Sequence, residues 1–186
     1  MLTDSKKIQK LSIYYGAKCP FLRPKKLNKE NVGVLDICKY FLNLKIINDI
    51  DNLCCTFPVS PLTFAKDYKK AIRLLLKDKN TDFVFSASKN SHPIEKTLII
   101  KNKKLKMKFG KKYYPISSKF LADTYHDNGQ FYLAKANTWK RKKIIYSNNS
   151  KFVNIPHWRG QDVDVIDDWI KTKLIFNQIK MGYIKV

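Results

Sequence analysis

The stretch from Leu53 to Ala87 constrains the fold more than any other. Leu53 to Phe57 is a short apolar run closed by Pro58 and Pro61, and it reads as a buried strand. Thr63 caps a helix that runs through Leu76, and Asp82 to Ala87 forms a second strand. Strand, helix and strand at this spacing make a βαβ unit, whose crossover lays its two strands in parallel. An α/β fold with a mostly parallel sheet is therefore expected.

The rest of the chain extends this pattern. Thr3 or Asp4 caps a first helix carrying Ile8, Leu11 and Tyr15 at helical spacing, and Gly16 ends it. Pro20 and Pro24 then force an extended loop around Arg23. A helix over about Val34 to Leu44 has Leu35, Cys38 and Leu42 as its apolar stripe. Thr97 to Ile100, the polar turn Lys101 to Lys104 and Leu105 to Phe109 predict an antiparallel hairpin arm. Gly129 to Ala134 and Phe152 to Ile155 read as strands, and Ile166 to Ile179 as a last helix. No repeat, low-complexity tract or linker divides the chain, so one domain over residues 1–186 is expected, with the arm occupying about 92–135.

Composition narrows the function classes. The net charge of +22 invites a nucleic-acid reading. Yet only Arg23, Arg73, Arg141 and Arg159 among the 37 basic residues are arginine, the residue that reads base edges. The lysines are scattered instead of gathered into a stripe, so no specific nucleic-acid partner is expected. The same charge suits an anionic small substrate such as a nucleoside triphosphate. No apolar run reaches the ~18 residues of a membrane span, and the N-terminal residues have no signal-peptide core. Cys19, Cys38, Cys54 and Cys55 show neither zinc spacing nor a redox pair, so buried thiols and a cytoplasmic setting are expected.

Four stretches carry a resemblance: Pro20 to Leu27, Phe57 to Leu62, Tyr125 to Tyr132 and Trp158 to Trp169. In this order, over about Thr3 to Lys180, they resemble the acylneuraminate cytidylyltransferase (CMP-sialic acid synthetase) family. The last two stretches, with Ser91-His92-Pro93-Ile94, look more like its pseudaminic acid branch. The resemblance implies a three-layer, Rossmann-like nucleotide-diphospho-sugar transferase sheet and a homodimer joined through the hairpin arm. It also implies transfer of CMP from CTP to a nonulosonic acid, with pyrophosphate released and Mg2+ as cofactor.

Residue roles follow from the same resemblance. Asp162 and Asp164 match the family's metal-binding and catalytic Asp-x-Asp pair; at i and i+2 of an extended segment both carboxylates face one side. Read from the pattern alone, the aspartates before the last helix also fit a helix cap. Arg23 is expected at the nucleotide, held by its flanking prolines. Phe57, Lys96, His126, Gln130 and Tyr132 are expected on the sugar side, and Arg159 and Gln161 are expected either to touch the sugar or to orient the aspartate pair. As residues alone, Tyr132 fits core packing equally well and Lys96 a solvated surface. The family's opening strand and its glycine-rich basic loop, which cradles the triphosphate, have no counterpart in these residues, which start near the end of the family's second strand. A fold truncated at its N-terminus, inactive or partial by itself, is therefore expected; the alternative is a non-catalytic sugar-binding or assembly module derived from that family.

Overall fold

The computed structural model describes residues 1–47 and 50–186. They gather into two compact units: Met1–Leu53 with Lys135–Ile145, and Cys54–Ala134 with Tyr146–Val186.

The first unit is helical. Helix α1 (Lys6–Tyr14) starts where the Ser5 hydroxyl accepts the Ile8 N–H, one residue beyond the expected caps. Gly16, at φ +87°, closes it in the left-handed region. Helix α2 (Val34–Leu42) turns Cys38 and Leu42 inward and packs against α4 (Ala136–Arg141), a short helix the sequence pattern did not reveal. Trp139 of α4 is fully buried, and its indole N–H donates to Leu53 O at 3.0 Å.

The second unit carries the sheet, in the order β1-β5-β2-β6: β1 (Asn52–Thr56), β5 (Tyr125–Lys135), β2 (Val84–Lys89) and β6 (Lys151–Asn154). Helix α3 (Ala65–Lys77) begins after Phe64, whose N–H donates to the Asp67 carboxylate at 2.9 Å. That bond replaces the expected Thr63 cap. Ala71 and Leu75 of α3 bury against Val84, Phe131, Leu133, Val153 and Ile155, the core of this unit.

β2 and β6 are parallel, but β5 stands between β1 and β2 and runs antiparallel to β2, so the expected mostly parallel sheet is mixed. β1 is an edge strand with alternating exposure, not the buried strand its composition predicted. Cys54 is exposed and Cys55 half-buried, whereas Cys19 and Cys38 are buried. The arm is a two-residue hairpin of β3 (Leu98–Lys101) and β4 (Lys104–Met107). Asn102 and Lys103 sit at φ 53° and 59°, as a tight primed turn requires. Helix α5 (Ile166–Lys180) ends the fold. Among the described residues no helix is long and apolar enough to cross a membrane.

Candidate active site

The site is built on a break in strand pairing. Phe85 faces Tyr132 and Ala87 faces Asp127, so Ser86 alone opposes the whole run from Asn128 to Phe131. β5 bulges there, and the Ser86 hydroxyl takes the N–H groups of Gln130 at 3.2 Å and Phe131 at 3.3 Å. Gly129 turns the bulge at φ +64°, and its N–H donates to Asp127 Oδ1 at 2.9 Å. Asp127 Oδ2 accepts the hydroxyls of Tyr132 and Tyr146, each at 2.5 Å. Burial first, then the bond to Asp127, pushes the Tyr146 phenol up to about 12. The same two causes raise Tyr132.

The segment after β6 lies over this bulge. Gly160 sits where any side chain would overlap the Ser88 hydroxyl and the Asn128 amide, which are joined at 2.9 Å. The Ser88 hydroxyl in turn donates to Ile155 O at 2.9 Å. Asp162 comes next. Its carboxylate occupies the space a Cβ on Gly129 would fill, so the glycine of the bulge is what admits it. Partial burial first, then Asp164, raises the Asp162 carboxyl above the usual range; Asp127 and Asp168 add to this and the Val163 N–H opposes it. The pair is therefore a place of crowded negative charge.

Asp168 supplies the helix cap that the pattern had left open to several aspartates: its Oδ2 takes the N–H groups of Asp164 at 3.2 Å and Val165 at 3.1 Å. Asp162 and Asp164 both keep exposed side chains. Among the described residues no group of three or more histidine, cysteine or acidic side chains is arranged to hold a metal. Asp162, seated in the notch over Gly129 and near enough to Asp164 to be raised by it, still fits Mg2+, which takes one or two protein carboxylates and fills its shell with water and phosphate oxygens.

The other expected site residues separate by environment. Arg159 is 3% exposed. Its Nη1 and Nη2 donate to Asp67 Oδ2 at 2.6 Å and Oδ1 at 2.8 Å, Nη1 also reaches Leu62 O at 3.2 Å, and Phe64 stacks beneath. Its charge is spent inside the fold, tying the site loop to α3. Gln130 is fully buried and donates from Nε2 to Arg159 O at 2.8 Å. The side-chain oxygens of Gln130 and Asn128 are buried without a protein donor, two acceptors that an enclosed water would satisfy. Gln161 is buried. Phe57 is half-buried and meets Tyr132 edge-on at 6.0 Å, so Tyr132 is at once a packing residue and part of the Asp127 cluster. His126 donates from Nδ1 to Asn90 Oδ1 at 2.7 Å, and Lys96 is a half-buried cation on the turn Ile94–Lys96.

In the first unit, the Arg23 Nε–H donates to Asn28 Oδ1 at 2.8 Å, and its Nη2 lies 3.8 Å from Asp4. Asn28 also donates to Asp4, at 2.9 Å, so the guanidinium is oriented from one side. Sequence reasoning missed Asp67, Asp127 and Ser86. Asp67 and Ser86 act through contacts distant in sequence, whereas Asp127 gathers Gly129 and Tyr132 from its own strand and Tyr146 from beyond it.

The fold and site thus define an α/β protein whose mixed sheet presents an Asp-x-Asp segment across a bulged strand. The chain belongs to the pseudaminic acid cytidylyltransferase family. It is 26% identical over 176 residues to the pseudaminic acid cytidylyltransferase of a Campylobacter jejuni strain, covering 94% of this chain and 75% of that protein. A Helicobacter pylori protein named as both pseudaminic acid cytidylyltransferase and UDP-2,4-diacetamido-2,4,6-trideoxy-beta-L-altropyranose hydrolase is 31% identical over 161 residues. That match covers 87% of this chain and 31% of the relative. No family model matches the chain.

Proposed function

We propose that the chain provides the sugar and metal side of a cytidylyltransferase that moves CMP from CTP onto a nonulosonic acid of the pseudaminic type, releasing pyrophosphate. The observation that carries this reading is the Asp162 carboxylate seated over Gly129, beside Asp164, in a chain of this family. Asp162 and Asp164 would hold Mg2+, which when bound neutralises charge building on the phosphates. The chain's own residues position the rest. Arg159, locked onto Asp67, fixes the loop that carries the pair, so its part is positioning. The buried oxygens of Gln130 and Asn128 would act on sugar hydroxyls through water. Phe57 and Tyr132 wall the sugar side, Gln161 supports the loop, and Lys96 and His126 face the acid substrate. Arg23 holds the nucleotide.

We further propose a homodimer through the hairpin arm. Leu98 faces Met107 and Ile100 faces Leu105 on one side of the ribbon, with Leu98, Ile100 and Leu105 exposed. An isolated two-stranded ribbon needs a surface to pack on.

The exposed apolar face of the hairpin arm also fits a second reading, a non-catalytic sugar-binding or assembly module derived from the family. One experiment separates the two. The chain is joined to the N-terminal segment of the Campylobacter relative and given CTP, pseudaminic acid and Mg2+. Formation of the CMP-sugar, abolished in Asp162→Asn, supports the enzyme. No product in a folded fusion that still binds the sugar supports the module.

A further inference from the structure

Positive charge gathers on the arm more than the spread of lysines along the whole chain suggests. Residues 97–122 hold eight lysines and no acidic residue. All eight are exposed, and among the described residues none of them is in an ion pair. Of the acids that flank the segment, Glu95 has one carboxylate oxygen buried and Asp123 pairs with Lys89 at 2.5 Å. Eight cations therefore stand against at most one free negative charge.

Strand pairing sorts the side chains of the ribbon onto two faces. Leu98 opposite Met107 and Ile100 opposite Leu105 share one face, while Ile99 opposite Lys106 and Lys101 opposite Lys104 share the other. Lys103 stands in the turn between the strands. The lysine face is thus distinct from the apolar face proposed for the homodimer.

Past the ribbon, lysines alternate with rings. Lys108 lies over Phe109, Lys112 over Tyr113 and Lys119 over Phe120, with each ammonium 5.5, 5.0 and 5.0 Å from its ring centroid. Phe109, Tyr114 and Phe120 are exposed. A ring beside a long cationic stem suits a lipid headgroup layer, where the ring meets the apolar boundary and the ammonium meets the phosphates.

We propose that the lysine face of the arm is a docking surface for a membrane that carries anionic lipids. Two observations favour lipid over nucleic acid. Residues 74–140 contain no arginine, so the arm has no guanidinium fork for a base edge. Three of its rings already hold an ammonium over one face, which takes up surface on which a base would stack. An anionic bilayer needs neither feature, because each lysine brought within a screening length adds its own attraction. The inference depends on neither the metal nor the sugar reading above.

The test is sedimentation of the 186-residue protein with vesicles of phosphatidylcholine alone and of phosphatidylcholine with about one-third phosphatidylglycerol. The anionic vesicles should take up at least about tenfold more protein at about 0.1 M salt, and most of that excess should vanish at about 0.5 M. Lys101→Glu, Lys104→Glu and Lys106→Glu together should remove the preference, with circular dichroism checking the fold. The same change of charge on helix α1, Lys6→Glu, Lys7→Glu and Lys10→Glu, should lower uptake by no more than about twofold. Should the arm variant fail to fold, Phe120→Ser, at an exposed ring, should still lower uptake several-fold. Equal uptake by the two vesicles, or equal loss from the arm and α1 variants, overturns the inference. So does a single-stranded oligonucleotide that binds the arm when anionic vesicles do not, which would make this a nucleic-acid surface.

Discussion

The bulge-and-loop junction and the hairpin arm belong to the same unit and are built on opposite terms. At the junction, Ser86, Ser88, Asp127 and Arg159 are each committed to partners within the chain, and two glycines admit groups that no other residue would. In the arm, Ile100 and Leu105 are 79% and 68% exposed. The junction is placed by the chain's own contacts, so it is sensitive to single atoms. The arm is a regular hairpin whose apolar face is left open, so its substitutions should be felt in association and not in folding.

The largest expected effect tests the junction. Arg159→Ala leaves Asp67 charged and buried, and should destabilise the protein by about 3–5 kcal/mol in urea unfolding. Adding Asp67→Asn should recover part of that loss. A loss below about 1 kcal/mol would mean that water reaches the pair and that the junction is looser than its distances imply.

Gly160→Ala should cost about 1–3 kcal/mol, because the methyl must displace the Ser88 hydroxyl and the Asn128 amide. The backbone there, at φ −79°, accepts any residue, so the loss is one of packing alone. Circular dichroism during denaturation measures it.

Asp162→Asn should act the other way on stability. The Asp162 carboxyl is raised in the folded protein, so its protonation favours folding: the contribution is full below the unfolded value near ~4 and is lost as pH rises through the folded value. At neutral pH the substitution should leave stability equal or slightly higher, and flatten its pH dependence across that window. In the fusion with the relative's N-terminal segment, the same change and Asp164→Asn should lower Mg2+-dependent CMP transfer by orders of magnitude. A stable variant with full transfer would reduce the pair to a loop feature.

The smallest effect on folding belongs to the arm. Leu105→Lys and Met107→Lys should alter monomer stability by no more than about 0.5 kcal/mol, while sedimentation shifts from dimer to monomer. Variants that remain dimeric and folded would move the interface elsewhere.

Local chemistry makes much of this protein legible in its residues alone. The strand-helix-strand segment from Leu53 to Ala87, the helix ended at Gly16, the hairpin and the last helix all depend on neighbours within a few positions, and they lie within a few residues of expectation. The four short motifs placed the chain in its family, and their residues largely meet in one unit. Three features could not be read that way. The antiparallel course of β5 depends on which strand it pairs with, and its bulge on a register set against β2. The division of labour within one motif depends on burial: Arg159, expected either at the sugar or orienting the pair, is paired with Asp67 of α3, while Asp162 stays exposed at the notch Gly129 leaves. The meeting of His92, His126 and His157 joins three loops and strand ends that no spacing connects. Sequence periodicity and turn chemistry act over a few residues and so determined the elements and the family. Charge pairing and register act through space, between residues up to 92 positions apart, and only the tertiary structure decided which side chains the site would hold and which the fold would use.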